Sequence, residues 1–97
     1  MTAIDAAVTL DQRATPTDDI LMQNLGDEIV LLDLKSEHYF GLNMVGSRIW
    51  ALLTEARNLS AILDALCDEF DAPREHIETD LLAIISSLRE AGLVTVA

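Results

Sequence analysis

The hydrophobic positions change period once along this chain, and the change divides it. Over "ILMQNLGDEIVLLDLKSEHYFGL", Ile20 to Leu42, apolar residues come in short runs separated by turn residues, the pattern of strands rather than of a helix. It predicts strands at Ile20–Asn24, Glu28–Leu34 and Glu37–Leu42, with Leu25-Gly26-Asp27 as the first turn and Lys35-Ser36 as the second, an antiparallel meander. A two-residue loop at Lys35-Ser36 puts Leu34 opposite Glu37, Asp33 opposite His38, Leu32 opposite Tyr39, Leu31 opposite Phe40 and Ile29 opposite Leu42. Because side chains alternate faces, Ile29, Leu31, Phe40 and Leu42 form one apolar face, the expected core side. Val30, Leu32, Leu34 and Tyr39 form the other. It is apolar too, and no element in the sequence is available to cover it.

After Leu42 the spacing becomes helical. Asn43 is a natural N-cap, and Val45, Ile49, Trp50, Leu52 and Leu53 recur at helical intervals up to about Ala56. A second helix is expected from about Ser60 to Phe70, with the stripe Leu59, Ile62, Leu63, Leu66, Cys67 and Phe70. Pro73 opens a third, since proline lacks only an N–H that the first turn leaves unused, and Glu75 and Glu78 lie near its positive end. Its stripe is Ile77, Leu81, Ile84, Ile85 and Leu88; Gly92 ends it, and "LVTV" suits a last short strand. The first eighteen residues are small and polar apart from Val8 and Leu10, and read as a mobile lead-in with a short edge strand around Val8 to Leu10. Residues 19–97 are then one domain. Three strands followed by three helices make an α+β, winged helix-turn-helix-like fold of two layers.

Composition narrows what such a domain can do. At 97 residues it holds one modest core. Six basic against seventeen acidic residues give a formal charge of −11, which repels nucleic acid phosphates and anionic lipid, so neither is an expected partner. The single cysteine cannot close an internal disulfide, no apolar run is long enough to span a membrane, and no signal peptide opens the chain; a cytoplasmic location is expected.

Candidate chemistry is sparse. His38 and His76 stand apart in the sequence, and Cys67 falls on a core stripe, so neither a metal site nor an activated thiolate is expected. There is no glycine-rich phosphate loop and no cofactor signature. Asp33 opposite His38 is either a functional ion pair or a local strand-end contact. The acidic residues around Asp64–Glu69 and Glu75–Asp80 suit solvated helix faces. These observations point away from an enzyme.

Surface remains. The third strand has one sequence neighbour in the sheet, so its other backbone edge is a candidate open edge, with Lys35 and Glu37 at the tip and uncharged Tyr39, Phe40 and Gly41 in the middle. Such an edge suits capture of an extended peptide by strand addition, in which backbone hydrogen bonds supply affinity and flanking pockets select side chains. Equally, it could be shielded by the third helix or by the lead-in.

The stretch "LLDLKSEHYFGLNMVGSRIWALL", with "LSAILDAL" and "DLLAIISSLREAGLV" following in order, resembles the PqqD-like family of leader-peptide-binding domains, the recognition elements of ribosomally made peptide natural products. The likeness covers about Leu21 to Val96. "YFGLN" followed by "VGSRIW" is most similar to the stand-alone members of lasso-peptide clusters, whereas "LNMVGS" departs from the "LNPTAA" usual in the cofactor-pathway members. The resemblance implies a non-catalytic adaptor without a cofactor, holding the leader of a precursor peptide for a separate leader protease and an ATP-dependent cyclase. It implies that the leader adds as a strand along Glu37, His38, Tyr39, Phe40 and Gly41, against a groove wall drawn from Asp80, Leu81, Ile84, Ile85 and Leu88. Helical period alone does not divide those five between groove and core, although Leu81 and Leu88 suit the core, as does Trp50.

Two other readings compete. A winged-helix DNA-binding regulator needs a basic recognition helix, but the third helix sets Arg74, Arg89 and His76 against Glu75, Glu78, Asp80 and Glu90. A homodimerisation module would use the uncovered face of Val30, Leu32, Leu34 and Tyr39, and a homodimer is compatible with leader binding.

Overall fold

The computed structural model describes residues 8–26, 28–55 and 58–97. In chain order the elements are β1 (Ala14–Pro16), β2 (Ile20–Leu25), β3 (Glu28–Asp33), β4 (His38–Leu42), α1 (Met44–Glu55), α2 (Leu59–Glu69), α3 (Arg74–Glu90) and β5 (Val94–Val96). β2, β3 and β4 form an antiparallel meander in that spatial order, so β4 is an edge strand. The expected register is found: Asp33 pairs with His38, Leu32 with Tyr39, Leu31 with Phe40 and Ile29 with Leu42.

The hairpin loop itself differs from the expected two residues. The strands stop at Asp33 and His38, leaving Leu34 to Glu37 as the turn, closed by a 2.7 Å bond from the Glu37 amide to the Asp33 carbonyl. Glu37 takes a φ of 62°, a left-handed conformation that ends the turn and is incompatible with continuing as a strand. At the other hairpin Leu25 belongs to β2, and Gly26, at φ 84°, supplies the positive φ that a side chain resists.

Asn43 caps α1 as expected, and Asn58, which the sequence pattern does not single out, caps α2 one residue earlier than expected. The Asn43 Oδ1 accepts a bond from the Gly46 amide, and the Asn58 Oδ1 one from the Ala61 amide, each meeting an amide that the first turn leaves unpaired. The last residue expected in the first helix, Ala56, lies outside the described residues. At the end of α3 the Leu93 amide bonds to the Leu88 carbonyl and the Gly92 amide to that of Arg89, with Gly92 at φ 80°. This Schellman arrangement turns the chain back and buries Leu93.

The strand expected at Val8–Leu10 lies instead at Ala14–Pro16, where β1 pairs with β5 in a separate two-stranded sheet. Val8 is buried without being in a strand, and Ala14 is wholly buried. Residues 8–18 are therefore packed in part against the domain. Leu31, Ile49, Leu53, Leu63, Leu81, Ile85 and Leu88 make up the centre of the core between sheet and helices, and Trp50 is buried beside them.

Candidate functional site

β4 offers its free side toward α3, and a groove separates the two. One cavity of about 220 Å³ is bounded by Phe40, Gly41, Leu42, Asn43 and Gly46 on one side and by Ala83, Ile84 and Ser87 on the other. A second, of about 370 Å³, continues past Phe40 to Asp33, His38, Tyr39, Ala91 and Leu93. Phe40, half-buried, borders both. The groove exists because α3 presents Ala83, Ser87 and Ala91 at successive four-residue steps. Four residues advance the helix by just over one turn, so these short side chains share one stripe and leave room beside the strand.

The sheet end of this wall is fixed by Ser47. Its hydroxyl donates to the Leu42 carbonyl at 3.1 Å and accepts from the Ile29 amide at 2.9 Å, bridging two residues that face each other across the β3–β4 ladder. Ser47 is itself buried, so this satisfies a donor and an acceptor where water has little access. Gly46 beside it allows α1 its close approach, since an added Cβ would stand 3.2 Å from the Leu42 Cδ2. "NMVGS" is thus the joint by which β4 is both terminated and clamped to the core.

Polar groups gather at the hairpin end of the groove. The Asp33 carboxylate accepts a 3.0 Å bond from the Lys35 amide, and that bond, with a second from the Ser36 hydroxyl, holds its carboxyl below the usual carboxylate range. Asp33 and His38 are paired in register on one face, but the carboxylate is engaged by the turn. Away from that end the lining is apolar or small, with Asn43 and Ser87 as its polar side chains. Among the described residues no cluster of three metal-ligating side chains occurs.

The residues expected to touch a peptide do not all meet in the groove. His38, Phe40, Gly41 and Ile84 border the groove. Tyr39 contributes to its border, but it is the partner of Leu32 in register and so sends its ring, 74% exposed, to the opposite face of the sheet. Glu37 is in the turn. Leu81, Ile85 and Leu88 are wholly buried in the core, and Asp80, in the first half of α3, is paired with the His76 Nε2 at 3.8 Å and borders a separate cavity among the helices. The sequence reading missed Ala83, Ser87, Ala91 and Leu93. The signal in the sequence is the four-residue spacing of small residues, Ala83, Ser87 and Ala91.

The chain is thus an α+β domain in which an open strand edge faces a helix across a groove. Residues 28–94 match the family model described as coenzyme PQQ synthesis protein D (PqqD), and the chain belongs to that family. Among solved structures it is similar to "TbiB1 in complex with the TbiA(beta) leader peptide", at 39% identity and a TM-score of 0.78, over 82% of this chain and 93% of that one. It is also similar to "lasso peptide synthetase B1 complexed with the leader peptide", at 25% identity and a TM-score of 0.77, over 86% of this chain and 98% of that one. No curated protein matches the chain. The likeness to the lasso-cluster members read from "YFGLN" and "VGSRIW" is therefore upheld.

Proposed function

We propose that this protein is a non-catalytic adaptor that binds the leader of a ribosomally made precursor peptide, of the lasso class, and presents it to a leader protease and a cyclase. The observation that carries this is the groove between β4 and α3: an open backbone edge on one side, and a wall of small and apolar side chains on the other. A leader lying in it would pair with β4 and place alternate side chains against Ile84 and Ser87. Both solved structures cited above are leader-peptide complexes at nearly full coverage, which supports the same reading. The binding unit is residues 19–97, with the preceding segment attached through β1. Its work is done in the cytoplasm, where precursor peptides are made, without metal or cofactor. DNA binding is disfavoured by the charge of −11.

The test is titration of isotopically labelled protein with the leader of the precursor encoded beside it, followed by amide shifts. Saturable shifts along His38–Leu42 and around Ala83, Ser87 and Ala91 are expected. Shifts confined elsewhere, or none, would refute the docking site.

A further inference from the structure

The groove has two ends, and different residues tie each. At one, Asn43, Gly46 and Ser47 join β4 to α1. At the other, the strand wall ends at Asp33 and His38 and the helix wall at Ala91 and Leu93. Leu93 lies beyond the end of α3 at Glu90, so helical bonding alone does not set its distance from the hairpin.

Thr17, Asp18 and Asp19, between β1 and β2, span that end. Thr17 grips the helix wall: its amide donates to the Leu93 carbonyl at 3.0 Å, and its hydroxyl to the Gly92 carbonyl at 3.0 Å, with the Leu93 carbonyl at 3.3 Å. Asp19 grips the hairpin: its carbonyl accepts from the Leu34 amide at 2.9 Å, and its carboxylate pairs with the Lys35 Nζ at 3.7 Å. Only Asp18 separates the two attachments. Two residues of chain reach about 7 Å at most, so the walls cannot part there without breaking one set of bonds.

The link is bent as well as short. Asp19 takes a φ of 65°, a left-handed conformation that aspartate accepts more readily than most residues and that carries the chain from β1 into β2 without a longer loop. Beside the link is a cavity of about 500 Å³ bounded by Thr17, Asp18, Asp33, Lys35 and Gly92, among others. With open space there, the bonds rather than packed side chains hold the walls. The exposed Lys35 pair adds little, which leaves the backbone bonds and the Thr17 hydroxyl. These lie at the groove end of the β1–β5 ladder, away from its outer end at Arg13 and Ala97.

We propose that Thr17 and Asp19 are positioning residues for leader binding: they hold Leu93 and the β3–β4 hairpin at the separation that one added strand needs. The inference rests on the leader-binding reading and extends the binding unit back to Thr17. A groove already at its bound width needs less ordering when the peptide arrives, and affinity rises accordingly.

The experiment measures affinity by fluorescence anisotropy with the leader of the precursor encoded beside the protein, and stability by thermal unfolding. Insertion of two glycines between Asp18 and Asp19 lengthens the link while leaving every bond named here possible. It should weaken leader binding by at least about tenfold in a protein that stays folded, with amide shifts at Leu34 and Leu93 and none at Ser47. Thr17→Val, which keeps the shape and loses the hydroxyl, should weaken binding by at least about threefold, and Thr17→Ser should stay within about twofold of wild type. Leu63→Ala, which lowers stability from within α2, should bind the leader as wild type does below its unfolding transition; a merely structural role for Thr17 requires the same of Thr17→Val. Unchanged affinity in the folded insertion variant overturns the proposal. Should that variant not fold, the Thr17 pair decides, and equal affinities for Val and Ser overturn it. Failure of wild type to bind the leader refutes the adaptor reading itself, a separate outcome.

Discussion

The sheet has two edges, β2 and β4, and among the described residues only β4 has a helix along its free side. Neither strand carries an acidic side chain or a lysine, and each exposes at least one large apolar residue: Met22 is 49% exposed on β2 and Tyr39 is 74% exposed on β4. By the usual account of edge strands both are liabilities. What separates them is the neighbour. α3 runs beside β4 and offers a stripe of short side chains, and the Ser47 hydroxyl and the Asn43 cap fix the strand at its end. Among the described residues no helix runs along the free side of β2; a cavity reaches its far end, at Asn24 and the adjoining Gly26. An open edge supplies generic backbone bonds. A second wall is what turns it into a site that can choose.

The largest expected effect is common to both edges and serves as the control. Leu63→Ala removes a wholly buried side chain of α2 and should cost about 2–5 kcal/mol in chemical denaturation. Ser47→Ala should cost about 1–3 kcal/mol, because it leaves the Ile29 amide and Leu42 carbonyl without their buried partner. Its amide shifts should concentrate at the end of β4 and spare most of β2; an even spread would show that Ser47 does not clamp that edge.

Ile84→Asp places a charge in the groove wall and should weaken leader binding by at least about tenfold with the fold retained by circular dichroism. Unaltered affinity would dissolve the contrast. Gln23→Lys, on exposed β2, should change leader affinity by no more than about twofold, as surface changes away from a site do. A pH effect should be smaller still. Asp33 has a lowered pKa in the folded protein, so its contribution to the β3–β4 turn is complete above the ordinary carboxylate range and is lost as pH falls through the lowered value. Acid titration of wild type against Asp33→Asn should show the two stabilities converging there. Curves that stay parallel through that range would mean the carboxylate does not hold the turn.

Much of this was legible in the chain. Register could be counted because the pairing of Leu31 with Phe40 and Ile29 with Leu42 is forced by side-chain alternation, and a slip by one would turn both pairs outward. The turn was less accessible: Glu37 accepts a φ of 62° that its residue type does not announce. β1 is not legible in the sequence because three residues, one of them proline, carry almost no period, and its pairing with β5 is fixed by tertiary contact. Along the candidate groove, His38, Phe40 and Gly41 border it as expected on the strand side while Glu37 falls in the turn, and on the helix side only Ile84 does. A helical stripe of large apolar residues marks what the core takes, so Leu81, Ile85 and Leu88 were natural candidates and are buried. A groove is marked by what is small, as at Ala83, Ser87 and Ala91.

The pairing of β1 with β5 sets the order in which this fold can assemble and come apart. Arg13 and Ala97 exchange both backbone bonds, at 2.8 and 2.9 Å, across more than eighty residues of intervening chain. Closing so long a loop carries an entropic penalty that the local β2–β3–β4 hairpins avoid, so the two ends should zip together only after sheet and helices have formed. In native-state hydrogen exchange the amides of Arg13 and Ala97 should be released first, by an opening that leaves the Ile29 amide, held by Ser47, protected. The groove would then survive a partial unfolding that frees both ends of the described chain.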